Sequence, residues 1–359
     1  MHRIDARWAA IAIFFLLLDA LLIGIFKAGS DLAPLWVAGR LAFDSPSLLY
    51  DFEFIAKAQE TLVGAVDFHP FVYPPTALLL VALVSWIPFG LSRWLVALAS
   101  LAWLAWASRK SGTDPWLVLL APPVVIAAIV GQTSLLVIGL VVLALANLDE
   151  NERKAGVLLA VAALIKPTLL VLAPVGLVAG RHWSALGTAV LTGLAGIALS
   201  MLLFGFQPWL DWLQALPRFQ QLFADYPPLV RNAVSPYAAA LRLGVESQAI
   251  IAIGGVIAVL FTWLAFSRPS DPATRSAIVM GGALLLTPYA MNYELAVFAP
   301  ALLALPREQM RNVILAALWG FSLFLNAGVI GLLIAYLGFA AILLAKKPPV
   351  DRGIDVPAG

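Results

Sequence analysis

Apolar residues fall in runs near residues 8–26, 75–88, 91–107, 115–130, 133–148, 155–180, 184–206, 248–266, 276–290, 293–305, 312–325 and 328–345. Several approach the ~20 mostly apolar residues that carry an α-helix across a bilayer. The pattern predicts an all-α fold, a polytopic transmembrane bundle of roughly ten to twelve helices, with residues 1–359 forming a single domain. Two longer polar segments, 27–74 and 207–247, interrupt the runs. Within the first, residues 31–43 and 51–63 read as short amphipathic helices. Leu32, Leu35, Trp36 and Gly39 share one face of the earlier one. Such helices lie in the membrane interface, apolar side down. They would roof a lipid substrate or pack as an ordinary outer loop.

Composition agrees with the pattern. Of 359 residues, 62% are hydrophobic and only 12% charged, against about 25% charged in soluble domains. A soluble core cannot enclose that much apolar surface. The run at 8–26 is long enough to remain as a first helix rather than serve as a signal peptide. The net charge of +2 gives no support to a nucleic-acid partner. The absence of cysteine excludes disulfide and thiolate chemistry. His2, His69 and His182 are far apart and match no metal-ligand spacing. No metal is expected, and no phosphate-cradling glycine loop or Ser-His-Asp order is present.

Lysine and arginine set the expected orientation. Short connections and termini hold Arg3, Arg7, Arg153, Lys154, Arg181, Arg268, Arg275, Arg307, Arg311, Lys346, Lys347 and Arg352. The long polar segments hold only Lys27, Arg40, Lys57, Arg218, Arg231 and Arg242. Both termini are therefore expected in the cytoplasm and both long loops outside. The alternation does not close simply, however. If 75–88 descends and 91–107 returns, Arg109 and Lys110 emerge outside, while Asp149–Lys154 looks cytoplasmic. Half-helices with apices near Gly131-Gln132 and Lys166-Pro167 would resolve the conflict. Broken helices at membrane depth persist only where they are buried in protein or line a wet cavity.

Candidate chemistry sits at the same places. Asp31, at the outer end of the first run, could act as general base on an acceptor hydroxyl. On position alone, capping of the helix that follows is the favoured reading. His69 and Tyr73 precede Pro74-Pro75, which suits a helix's first turn; Tyr73 also suits an interfacial aromatic belt, and His69 could hold a phosphate or a sugar hydroxyl or be structural. Lys166 lies between apolar runs, and a lysine at depth by default marks a pathway or a ligand charge. No acid lies within a helical turn of it, so a lipid phosphate would be a fitting counter-ion; the alternative is snorkelling to an interface. Gln132 could bind a sugar hydroxyl or bridge helices. Thr287–Glu294 is another polar interruption, expected to face outward, that would offer Asn292, Tyr293 and Glu294 to a cavity or simply form a wet loop. Arg40 and Arg231 are candidate phosphate contacts. Asp19, inside the first run, suggests a hydrogen bond within the bundle.

These pieces come in a set order: Asp31 with Ala38-Gly39-Arg40, Tyr73-Pro74-Pro75, Gly131-Gln132, Ala155-Gly156 before Lys166-Pro167, and Thr287-Pro288 before Asn292. In that order and spacing the chain resembles glycosyltransferase family 87, polytopic bacterial mannosyltransferases of the GT-C fold. The resemblance implies a hexosyltransferase of the bacterial inner membrane. Its donor would be a polyprenyl-phosphate sugar, usually mannose, moved with inversion to a lipid or glycan acceptor on the outer face. No cofactor is implied, because the lipid-linked donor is a substrate. The family's acid at the outer end of the first helix serves as catalytic base, which maps onto Asp31. Its lysine before proline maps onto Lys166. A histidine is frequent near the Thr287-Pro288 position; this chain has Asn292 and Tyr293 there. A transporter or flippase of lipid-linked sugars would use the same broken helices, although no inverted repeat is visible. A non-catalytic partner in envelope assembly is a third reading.

Overall fold

The computed structural model describes residues 30–64, 69–304 and 327–345. The expected helices over 8–26 and 312–325, Asp19, and both termini lie outside the described residues. The described residues are mostly helical, with helices in the apolar runs and in both long polar segments as well.

Asp31 opens α1 (Leu32–Leu41), in which every residue from Leu32 to Gly39 is buried. This corrects the amphipathic expectation: α1 is enclosed on all sides rather than laid on an interface. Gly39 permits the enclosure, because a Cβ there would collide with the Val81 carbonyl. Asp51 caps α2 (Phe52–Val63) by accepting from the Phe54 amide at 2.9 Å. Ile55 and Gln59 of α2 point inward while Glu53, Lys57 and Glu60 face out, so this helix is amphipathic as expected.

A 3-10 turn at Pro75–Ala77 leads into α3 (Leu78–Val84). Together they extend only about 15 Å, half the ~30 Å hydrocarbon thickness. This segment therefore does not descend through the bundle, and the topological conflict in the sequence disappears. The 22-residue α4 (Phe89–Lys110) follows. Next come α5 (Pro115–Leu119) and α6 (Pro122–Val130), which split one apolar run in two. Then come α7 (Ser134–Asn147) and α8 (Glu152–Ile165). After a 3-10 turn at Pro167–Leu170 stand α9 (Ala173–Ala179) and α10 (Trp183–Phe204). The second polar segment contains α11 (Gln207–Asp225), α12 (Pro227–Asn232) and α13 (Pro236–Arg242). The chain returns through α14 (Gln248–Ser267) and α15 (Pro272–Leu286). A 3-10 turn at Asn292–Phe298 then leads to α16 (Ala299–Ala304), and α17 (Gly328–Ala345) ends the described chain.

Among the described residues four helices, α4, α10, α14 and α17, are long and apolar enough to cross a membrane. Their outward faces carry large apolar side chains: Leu191 and Leu202 of α10 are 70% and 81% exposed, and Val256 of α14 70%. In a bilayer those faces meet lipid, where nothing is lost by their exposure.

The breaks define two ends. Gly131 and Lys166 interrupt helices at one end, beside Asp31 and the 287–294 segment. At the other end three turns are knotted by charge. Arg275 donates to Asp149 at 3.0 Å, His182 bonds Glu152 at 2.9 Å, and the Ser184 amide donates to the other Glu152 oxygen at 3.0 Å. So α7, α8 and α15 each run between the two ends. The direction of α4 follows from its contacts with α7. The Trp103 indole donates to Leu136 O at 3.0 Å, and Trp103 and Ala107 pack on Gly139. The two helices thus run the same way, and Arg109 and Lys110 point toward the end that holds Arg153 and Lys154.

The absence of native cysteine makes this course testable. Single cysteines at Lys110 and Glu150 are expected to react with an impermeant thiol reagent from the same side of the membrane. One at Thr61 should react from the opposite side. Labelling of positions 110 and 61 from one side would overturn the parallel course of α4 and α7. Packing gives a second test. A Cβ at Gly156 of α8 would strike the Ala185 carbonyl of α10, whereas Gly193 has open space around it. Gly156→Ala is expected to cost about 1–3 kcal/mol by overpacking. Gly193→Ala should be neutral or slightly stabilising by helix propensity. Melting of the two purified variants in detergent compares them, and equal shifts would sink the packing account.

Candidate active site

The site is assembled where helices stop. Gly131 ends α6 in the left-handed conformation, φ 80°, a position open to glycine without strain. The Gln132 amide then reaches back to Ala127 O at 2.9 Å and the Gly131 amide to Ala128 O at 3.2 Å, a Schellman closure. The last carbonyl, of Val130, accepts from the Asp31 amide at 3.0 Å. Lys166 is held extended ahead of Pro167, as the residue before a proline prefers. The break frees the Leu164 carbonyl, which accepts from the Thr76 hydroxyl at 2.6 Å. Each interruption is thus repaired by a side chain or amide from the first polar segment or its edge.

A continuous set of hydrogen bonds crosses this floor. The Gln132 carboxamide donates to Asp31 Oδ2 at 2.6 Å and lies 2.8 Å from the Tyr293 hydroxyl. Its oxygen accepts from the Tyr73 hydroxyl at 3.0 Å, and Thr133 lies 3.3 Å from that same hydroxyl. Burial pushes the Tyr73 phenol above its ordinary range, so it stays protonated and donates. Burial does the same to Tyr50, whose hydroxyl donates to Tyr73 O at 2.8 Å. Asp31 Oδ1 meets the Ser30 hydroxyl at 3.2 Å and His69 Nε2 at 3.8 Å. The His69 carbonyl accepts from Gln59 of α2 at 2.7 Å. Lys166 Nζ contacts Glu294 at 2.5 Å and Ser134 at 2.9 Å. It also lies 5.8 Å from the centre of the Tyr293 ring.

Above this floor is a cavity of about 620 Å³. Its far wall is α11, whose Trp212, Leu216, Phe219 and Phe223 follow helical spacing and present one apolar face. The Trp212 indole ties that helix to Val72 O at 3.3 Å, and Phe219 stacks on Phe52 of α2 at 5.2 Å. The 226–235 segment closes another side. Val234 N donates to Ala290 O and the Ser235 hydroxyl to Pro288 O, both at 2.7 Å. The result is a polar floor under apolar walls.

Eight residues singled out in the sequence meet at this cavity: Asp31, His69, Tyr73, Gln132, Lys166, Asn292, Tyr293 and Glu294. Three expectations need correction. Arg40 lies nine residues along α1 from Asp31, exposed, its guanidinium 5.8 Å from the Trp86 ring centre. Arg231 is exposed on α12, and the neighbouring Asn232 lines the cavity instead. Lys166 also does not wait for a ligand as its only counter-ion, because Glu294 supplies one from across the bundle. The capping alternative for Asp31 fails as well: its side chain makes no capping bond to α1. Glu294 reaches the cavity as expected, but its pairing with Lys166 and the apolar wall of α11 were missed. The first had no signal in sequence, whereas the spacing of positions 212, 216, 219 and 223 could have revealed the second. Among the described residues no three His, Asp or Glu side chains gather in a way that could hold a metal ion.

Fold and site together define an integral membrane protein whose polar residues converge on a cavity at one end of a helical bundle. Residues 71–288, more than half of the chain, match the model of glycosyltransferase family 87; the chain belongs to that family and is a glycosyltransferase. Asp31, Asn292 and Tyr293 fall outside the matched span, while Tyr73, Gln132 and Lys166 fall within it. No curated protein and no solved structure matches the chain.

Gln132 is the hub of the floor. Gln132→Leu leaves Asp31 Oδ2, the Tyr73 hydroxyl and the Tyr293 hydroxyl without this partner. A cost of about 1–3 kcal/mol is expected for each buried group so left, read as lowered melting of the purified protein. An unchanged melting temperature would show that the carboxamide does not organise the floor.

Proposed function

We propose that the protein transfers a hexose, mannose being the first candidate, from a polyprenyl-phosphate donor to a hydroxyl of a lipid or glycan acceptor. The observation that carries the reading is Asp31. One carboxylate oxygen is fixed by Gln132 while the side chain borders the cavity. A carboxylate held this way takes the acceptor proton as the hydroxyl oxygen attacks the anomeric carbon. The bond from that carbon to the donor phosphate oxygen breaks, and the lipid phosphate leaves with the electron pair. The single displacement inverts the anomeric centre. Lys166 stabilises the charge that gathers on the departing phosphate. Arg231, outside the cavity, has no part in this step. The apolar face of α11 suits the lipid portion of a substrate.

The reading places the protein in a bacterial plasma membrane with the cavity on the outer face. The opposite end, which carries Arg109, Lys110, Arg153, Lys154, Arg181 and Arg268 near short connections, suits the cytoplasm. Family membership favours transfer over transport.

The test is transfer of labelled mannose from polyprenyl-phosphate mannose in membranes containing wild type, Asp31→Asn, Arg40→Ala or Arg231→Ala. Wild type is expected to transfer, Asp31→Asn to lose at least about a hundredfold, the low end for a general base, and the two arginine variants to keep most activity. Normal turnover by Asp31→Asn would refute its role as base. Absence of transfer by wild type would remove mannose as the donor sugar.

A further inference from the structure

Lys166 and Glu294 form a buried charge pair on the cavity floor, and the two ends of that pair are held differently. Glu294 is only 5% exposed, and its second carboxylate oxygen accepts from the Met291 amide at 3.1 Å at the start of the Asn292–Phe298 turn. That anchorage fixes the carboxylate. Lys166 ends on a flexible four-carbon stem with three rotatable donors. Besides contacting Glu294, its ammonium donates to a neutral partner, the Ser134 hydroxyl, at 2.9 Å. Both side chains border the same cavity.

We infer that Glu294 is a positioning residue for Lys166: it holds the ammonium in the empty site, gives it up to the donor phosphate, and takes it back when the lipid phosphate departs. The inference rests on the polyprenyl-phosphate donor proposed above and adds a role in product release. Its chemical basis is a change of charge during the reaction. The donor phosphate is a diester with one negative charge. The leaving lipid phosphate is a monoester, whose second ionisation near pH 6 brings it close to two. A lone buried ammonium would therefore hold the product more tightly than the substrate, and turnover would stall on release. A carboxylate fixed 2.5 Å from the resting position of that ammonium competes with both ligands and supplies the partner to which Lys166 returns. It also removes the penalty of an uncompensated buried charge in the empty site.

The experiment measures binding of a polyprenyl phosphate to the purified full-length protein in detergent, with the uncharged polyprenol as control. Wild type, Glu294→Gln and Glu294→Asp are compared. Glu294→Gln removes the competing charge, and its affinity for the polyprenyl phosphate should rise at least about tenfold, the low end of coupling between close buried charges. Affinity for the polyprenol should not change. In the transfer assay the same variant should show a lower donor KM, a lower kcat and stronger inhibition by added polyprenyl phosphate. A loss of packing alone would not tighten one ligand while slowing turnover. Glu294→Asp withdraws the carboxylate by one methylene and should move affinity the same way by less, which keeps the test open if the glutamine variant does not fold. Absence of polyprenyl phosphate binding by wild type overturns the donor reading and this inference with it. Binding by wild type without tightening in either variant overturns this inference alone.

Discussion

A backbone carbonyl inside a membrane must find a donor, and there is little water to supply one. That constraint organises this molecule. A helix that stops at depth exposes carbonyls costing several kcal/mol each if left bare. Here α6 stops at Gly131 and α8 at Ile165, and each stop is covered from the first polar segment or its edge: the Asp31 amide on Val130 O, the Thr76 hydroxyl on Leu164 O. The repairs bring that segment into the bundle. The residue whose amide covers the first break also carries the carboxylate that borders the cavity. Backbone satisfaction and the site are therefore one arrangement, and α1 is buried on all sides because it has to reach that position.

The floor of the cavity then follows from side chains that satisfy one another. Gln132, with two donors and an acceptor in one rigid plane, links a carboxylate to two phenols. Lys166 and Glu294 neutralise each other beside it. A network of this kind is stable only when every member is paired, so the groups that would do chemistry are already in place before a substrate arrives. The apolar wall of α11 faces them.

Much of this was legible in the sequence, for a reason specific to membranes. Apolar runs become helices wherever they are long enough, and polar residues inside them are costly enough to mark a purpose. Gly131-Gln132 and Lys166-Pro167 stood out on that ground and both break helices where expected. Tyr73 stood out as a residue before a proline pair and as an interfacial aromatic, and its bond to Gln132 could not be read from position. The partnership of Lys166 with Glu294 is set by the tertiary packing that brings the break at Lys166 to the turn after α15, which no local pattern encodes. Arg40 and Arg231 misled because a cation in an outer loop looks the same whether it points in or out. Helical phase sends Arg231 outward and Asn232 inward. The conflict over Arg109 arose from counting an apolar run as a full crossing when its helical part spans half that depth.

The pairing of Lys166 with Glu294 has a consequence for how the protein is made. Synthesis proceeds from the N-terminus at about 5–20 residues per second, so Lys166 emerges roughly ten seconds before the carboxylate about 130 residues downstream. During that interval the ammonium has the Ser134 hydroxyl within its chain but not the carboxylate that neutralises it. The Thr287–Glu294 segment, arriving late, completes the charge pair and the floor together. The nascent chain therefore holds the break at Lys166 before it holds the carboxylate that neutralises it, so the floor of the cavity is completed late in synthesis.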